Sequence, residues 1–400
     1  LGRLTGYLRE LIIASQFNIS KMADQVILLL TLPDLINSLL SISTLSVVMM
    51  PLMYEKKDHI KSILIDLTKR IGILALLFYI SIALILYFIY EFSFWILLLI
   101  SFISIIPNAL TAIAVLYLQF QNRFLFTSLG TLVFNITIIG CLILSKNLLL
   151  IALGVILACI LRFGFMLIDV FKSPLKIANQ PYIKTNKVSF QLIIFSIISN
   201  GILFINPTIN KMLASLLSPG STAILTYAEK IYLLPVSVLL TTFAVASFPD
   251  ISKLIVEKKW DTFTTLLKKS IILNIILSGV TVLIFVILGK FFITILFGLA
   301  NISNYHINQI YTVFLGYIGA LGFAGTQAIC INVLFSLKKF KSIATFSITI
   351  LSLNLLLNLV VIIKNKALVL IAINTSLLQI ISVIILTILI KQTLKEKTKT

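Results

Sequence analysis

Long apolar runs separated by short polar or basic stretches recur along the whole chain. A hydrocarbon core about 30 Å thick needs about 20 apolar residues per helix. Runs of that order fall at twelve places: 1–17, 25–53, 71–90, 92–119, 125–145, 147–171, 190–214, 222–248, 271–297, 309–335, 342–363 and 367–390. They are too long for the strands of a membrane barrel and lack its alternation, so the pattern predicts an all-α polytopic membrane bundle. Pro235 falls inside the eighth run and predicts a loosened backbone there.

The first run is short for a span and carries Arg3, Arg9 and Glu10, and the chain begins at Leu1 rather than Met. This predicts that an upstream segment completing the first helix is missing. A removed signal peptide is the rival explanation, but a mature polytopic protein would rarely resume in mid-helix.

Composition removes the soluble alternatives. With 60% hydrophobic and 11% charged residues in 400, the chain cannot be a set of soluble domains. A net charge of +19 would ordinarily suggest nucleic acid, but position explains most of it. Of 32 Lys and Arg, 22 fall in loops on the N-terminal side of the membrane, four (Lys21, Lys146, Lys364, Lys366) fall opposite, and six lie within runs. That asymmetry predicts cytoplasmic N and C termini. Cys141, Cys159 and Cys330 sit in apolar runs, and His59 and His306 are far apart, so neither a disulfide framework nor a zinc cluster is available. A phosphate-binding Gly-rich loop is missing, and the outer loops offer no acid–base pair; the reading is a transporter without a cofactor rather than an enzyme.

An internal repeat organises the chain. Pro51, Glu55-Lys56-Lys57 and Lys69-Arg70 recur in the same order as Pro249, Glu257-Lys258-Lys259 and Lys268-Lys269. The offset is half the chain, which predicts two six-helix lobes, 1–171 and 190–390, joined by a cytoplasmic linker 172–189 and followed by a basic tail 391–400. Lobes with an even number of spans are parallel repeats, an arrangement that favours a central cleft for a transported ligand.

A charge at mid-membrane costs about 2.5–3.5 kcal/mol, so each one within a run has to be explained. Arg162, Asp169 and Lys290 read as snorkelling or structural pairing, and Lys211 is ambiguous. Arg3 and Glu10 are seven residues apart and share a helix face, Asp24 opens the second run, and Tyr227 and Lys230 share a stripe beside Glu229. One reading is a cationic cavity in which Arg3, Arg9 and Lys230 bind an anionic headgroup. The other is an internal network pairing Arg3 with Glu10, and Lys230 with Glu229 or Asp24.

Gly2-Arg3-Leu-Thr-Gly6-Tyr-Leu-Arg9-Glu10, then Ala23-Asp24 and Leu32-Pro33-Asp34-Leu35, resembles the opening of the MurJ/MviN family of lipid II flippases. That family's pattern runs Ser-Arg-x-x-Gly-x-x-Arg-Asp, Asp-Ala and Leu-Pro-Asn-Leu. The resemblance continues through Gln121-Asn122-Arg123-Phe124, Tyr227-Ala228-Glu229-Lys230, Leu234-Pro235 and Phe248-Pro249. It implies a multidrug/oligosaccharidyl-lipid/polysaccharide exporter fold that moves an undecaprenyl-pyrophosphate-linked sugar, lipid II above all, to the outer leaflet of the bacterial cytoplasmic membrane. It also implies that Arg3, Arg9 and Asp24 serve transport, with Lys230 where the family usually has Arg.

Several features depart from the family. Asn37 and Ser38 replace a basic pair, and about twelve spans stand against the usual fourteen. Some members carry a sodium site with Asp in the seventh and eleventh spans. Here the seventh run has no Asp and the eleventh offers Asn354 and Asn358, so a cation site could use only Asn354, Asn358, Asn374 and Thr375. The leading expectation is a flippase whose partners are lipid II, the bilayer and cell-wall synthesis proteins, with no nucleic acid. The alternatives are a flippase for another lipid-linked polysaccharide unit, a drug exporter of the same fold, and a transport-inactive scaffold of cell-wall assembly.

Overall fold

The computed structural model describes residues 2–39, 49, 53, 60–121, 123, 125–172, 205–241, 251, 253–255, 257–337, 339–364 and 367–397. Its described elements are all helical: α1 (Gly2–Phe17), α2 (Lys21–Leu39), α3 (Ile60–Ile89), α4 (Phe92–Phe102), α5 (Ile105–Phe120), α6 (Leu125–Leu144) and α7 (Leu148–Lys172), then α8 (Ile205–Ala214), α9 (Ser221–Pro235), α10 (Trp260–Gly298), α11 (Asn304–Gly316), α12 (Ile318–Ser336), α13 (Phe340–Ile363) and α14 (Val369–Lys397). They form two compact units, residues 1–17 with 21–208 and residues 18–20 with 209–400.

Among the described residues, nine helical segments are long and apolar enough to cross a membrane, and they overlap nine of the runs read from sequence. The other three runs correspond to α1, which carries Arg9 and Glu10, to α2, described to Leu39, and to α8, described from Ile205. Residues 173–189 of the expected linker lie outside the described residues, as does the first repeat copy from Pro51 to Asp58 apart from Met53. In the second copy, Lys258 takes a left-handed turn at φ 56°, and Lys259 reaches Glu257 at 2.8 Å. The hydrogen bond from Lys259 is the main reason that the Glu257 carboxyl sits below its ordinary pKa. The stretch expected as a tail continues the last helix to Lys397, with Lys339 Nζ 2.9 Å from Glu396.

The helix faces are those of a protein solvated by lipid. In α10, Ser270, Asn274, Ser278 and Thr281 are buried, while Ile272, Ile276, Leu283 and Ile287 on the same helix are exposed. A water-soluble helix shows the opposite arrangement. Small polar residues on the inner face let neighbouring helices approach and share hydrogen bonds.

Among the described residues three runs are broken, and each break is satisfied from a neighbouring helix or the turn itself. Between α4 and α5 the backbone turns at Ile103-Ser104 ahead of Pro107, and Ser101 Oγ donates to Leu29 O on α2 at 2.6 Å. After Pro235 comes a π turn, Val236–Leu240, because proline has no N–H and crowds the preceding turn. Asn274 Nδ2 on α10 donates to Leu240 O at the end of that turn, at 3.2 Å. Between α11 and α12, Ser376 Oγ donates to Gly316 O at 2.5 Å and accepts from Ala320 N at 3.0 Å.

α12 packs directly against the Asn274 amide at Gly325. A Cβ there would stand 2.4 Å from Asn274 Oδ1 and 2.6 Å from Nδ2. Gly325→Ala is expected to displace Asn274 and destabilise the second unit by about 1–3 kcal/mol, the usual cost of overpacking. Gly279→Ala, at an exposed position with nothing within 4 Å, is the control and should leave stability unchanged or slightly raised. Thermal unfolding of the two variants in detergent checks this.

Candidate functional site

In the first unit a polar cluster forms where α1 packs on α6. Asn135 Nδ2 donates to Gly2 O at 3.1 Å and to Thr5 Oγ1 at 3.2 Å. The same amide's Oδ1 accepts from Arg9 Nη1 at 3.3 Å. Arg9 Nη2 donates to Glu10 Oε1 at 2.9 Å and to Asp34 Oδ2 at 3.5 Å. Arg9 and Glu10 are buried, whereas the Asp34 side chain is 47% exposed. Arg9 Nε–H is buried and has no hydrogen-bond partner among the described residues. The three charged groups sum to −1, so Arg9 stands inside its own counter-ions rather than in a bare cationic pocket.

Sequence reasoning named Arg9 and Glu10 but not Asp34 or Asn135. Glu10, expected to pair with Arg3, is bonded by its neighbour Arg9. Arg3 lies on α1 with its side chain outside the described residues, as do the side chains of Asn37 and Ser38 on α2. Asp24 is buried on α2.

In the second unit Glu229 pairs with Lys211 on α8 at 2.9 Å, both largely buried. Lys211, left ambiguous by the sequence, is thus the described partner of Glu229, in place of the expected Lys230. Lys230 is partly buried on the next position of α9. Tyr227 is fully buried, its ring 5.0 Å from Phe297. Asp169 pairs with Arg123 at 2.5 Å, and Lys290 is exposed.

A second polar cluster in this unit consists of amides. Asn354, Asn358, Asn374 and Thr375, singled out from sequence, do come together, and Asn210 on α8 joins them. Among the described residues, no three His, Cys, Asp or Glu side chains converge as metal ligands. A cavity of about 490 Å³ in the first unit, lined by Ile71, Leu76, Ile106 and Leu110 among others, is apolar and suits hydrocarbon rather than a headgroup.

Comparison with known proteins supplies the relatives. The family model described as "Lipid II flippase MurJ" matches residues 13–400. A curated protein of Rickettsia prowazekii (strain Madrid E), "Probable lipid II flippase MurJ", is 25% identical over 279 residues, covering 63% of this chain and 54% of that protein. The chain therefore spans about half the length of the curated relative it matches. A solved structure of "Lipid II flippase MurJ, inward closed conformation" superposes with a TM-score of 0.82 at 20% identity, covering 99% of this chain and 88% of that one. An inward-facing multidrug resistance MATE family transporter of the MOP superfamily follows at 0.72 and 10% identity, covering 100% and 96%. The fold is that of these transporters, the chain is a multi-pass membrane protein, and by the match from residue 13 to residue 400 it belongs to the MurJ family.

Proposed function

We propose that this chain is a flippase that carries an undecaprenyl-pyrophosphate-linked oligosaccharide, lipid II in the first place, from the inner to the outer leaflet of the bacterial cytoplasmic membrane. The observation that carries the reading is Arg9, a guanidinium buried in a membrane protein with one donor, Nε–H, unspent. A pyrophosphate oxygen accepts charge-assisted hydrogen bonds from such a donor. Of Arg9's acceptors, Asp34 is the most distant and the most exposed, so it is the one an arriving phosphate displaces. Glu10 and Asn135 stay and keep the fork aimed.

In this reading the two units act as six-helix lobes in alternating access, with both termini cytoplasmic. Arg3, Arg9 and Lys230 serve the headgroup, and Asp24, Glu10 and Glu229 set their charge. The excess of basic over acidic residues within the spans supports an anionic cargo over the organic cations of drug exporters. Cell-wall synthesis proteins are the natural neighbours of such a cargo.

The test is flipping of lipid II in vesicles containing the whole chain. A charge-assisted hydrogen bond is worth about 1.5–3 kcal/mol, so Arg9→Gln is expected to slow flipping about 10- to 100-fold. Because Glu10 would then lack its partner, Arg9→Gln is made together with Glu10→Gln, at matched abundance and melting temperature. Lys230→Ala is expected to slow flipping, and Lys230→Arg to preserve it, since Arg keeps the charge and adds a bidentate fork. Unchanged flipping in the Arg9 and Lys230→Ala variants would sink the assignment.

A further inference from the structure

The amide cluster is placed where a buried set of oxygens could be taken for a hard-cation site. Its bonding says otherwise. Asn210 Oδ1 accepts from Asn354 Nδ2 and from Asn358 Nδ2, each at 2.9 Å. Asn358 Nδ2 also reaches Asn354 Oδ1 at 3.1 Å, and Asn374 Nδ2 donates to Asn358 Oδ1 at 2.9 Å. Asn210 Nδ2 donates to Thr375 Oγ1 at 3.1 Å, and Thr375 returns its own hydroxyl to Ile371 O at 2.9 Å. Asn210, Asn354 and Asn358 are all buried.

We propose that this cluster is a neutral interhelical clamp, with Asn210 as its hub joining α8 to α13 and α14, and that it leaves this chain indifferent to sodium. Three points of chemistry support it. Hard cations are held by oxygens, usually including carboxylates that offset the loss of the ion's hydration, and the five side chains here are all uncharged. An amide oxygen comes with an amide N–H₂, so every asparagine brings donors that a cation repels and that need acceptors inside the protein. The oxygens of Asn210, Asn354 and Asn358 already serve as those acceptors. Turning one of them toward an ion would strand a buried donor, which is the costly outcome in a membrane interior. The sodium site that some members of the family carry therefore does not fit these residues. The consequence for transport rests on the flippase reading; the clamp itself does not.

Thermal unfolding of the whole chain in detergent separates the two. With sodium replaced by choline or potassium at constant ionic strength, the unaltered chain is expected to melt at the same temperature. Asn210→Leu removes the hub and is expected to lower that temperature in every salt. The isosteric double variant Asn210→Asp, Asn358→Asp supplies the missing charge; it is expected to melt earlier in choline and to regain several degrees in sodium, as binding to the folded state requires. If the double variant does not fold without sodium, Asn358→Asp alone is read in the same way. A sodium-specific rise in the unaltered chain overturns the proposal. So does a carboxylate variant that stays indifferent to sodium, because charge would then not be what the cluster lacks. Neither result depends on whether lipid II is flipped.

Discussion

Hydrocarbon offers no hydrogen bonds, so backbone breaks and buried polar side chains in the spans are costly unless answered from within the protein. That constraint accounts for the most specific features of both units. Asn135 holds α1 on α6 and steadies Arg9. Ser101 ties α4 to α2 beside a break. Asn274 answers the π turn that Pro235 imposes, and Ser376 bridges the break between α11 and α12. These residues are small and polar, on helix faces that in a soluble protein would be leucine and isoleucine.

The same constraint gives the charged groups their character. A lone guanidinium in a span is expensive, and Arg9 is tolerated because Glu10, Asp34 and Asn135 surround it. In the second unit Lys211 and Glu229 do the same for each other. The anion-binding capacity proposed for the chain is thus one of exchange. A half-exposed carboxylate yields its place on Arg9 to a phosphate and turns toward its exposed side. The amide clamp shows the opposite solution, in which polar groups are kept neutral and fully engaged with one another.

Much of this was legible in the sequence because length and hydropathy are local properties. The membrane class, most of the spans and the disturbance at Pro235 follow from them. The break at Tyr317 carries no proline and is completed by Ser376, sixty positions from Gly316, so only packing reveals it. Asn210 stands beside the conspicuous Lys211 in a run that also holds Asn200 and Asn206, so nothing along the chain singles it out. Asp34 was quoted as part of a motif, yet its partnership with Arg9 spans 25 positions. The charged groups pair between segments distant in the chain, Glu229 on α9 with Lys211 on α8, and Asp169 on α7 with Arg123 in the turn before α6. Helical spacing tells which residues share a face, and it is silent on what the neighbouring helix presents.

The central claim is that a headgroup-carrying membrane transporter is built around Arg9. Its most direct test is complementation in cells depleted of their own lipid II flippase, with membrane abundance matched. The account predicts that the unaltered chain sustains growth and that the Arg9→Gln, Glu10→Gln pair does not. Failure of the unaltered chain, or equal growth with both, would contradict it.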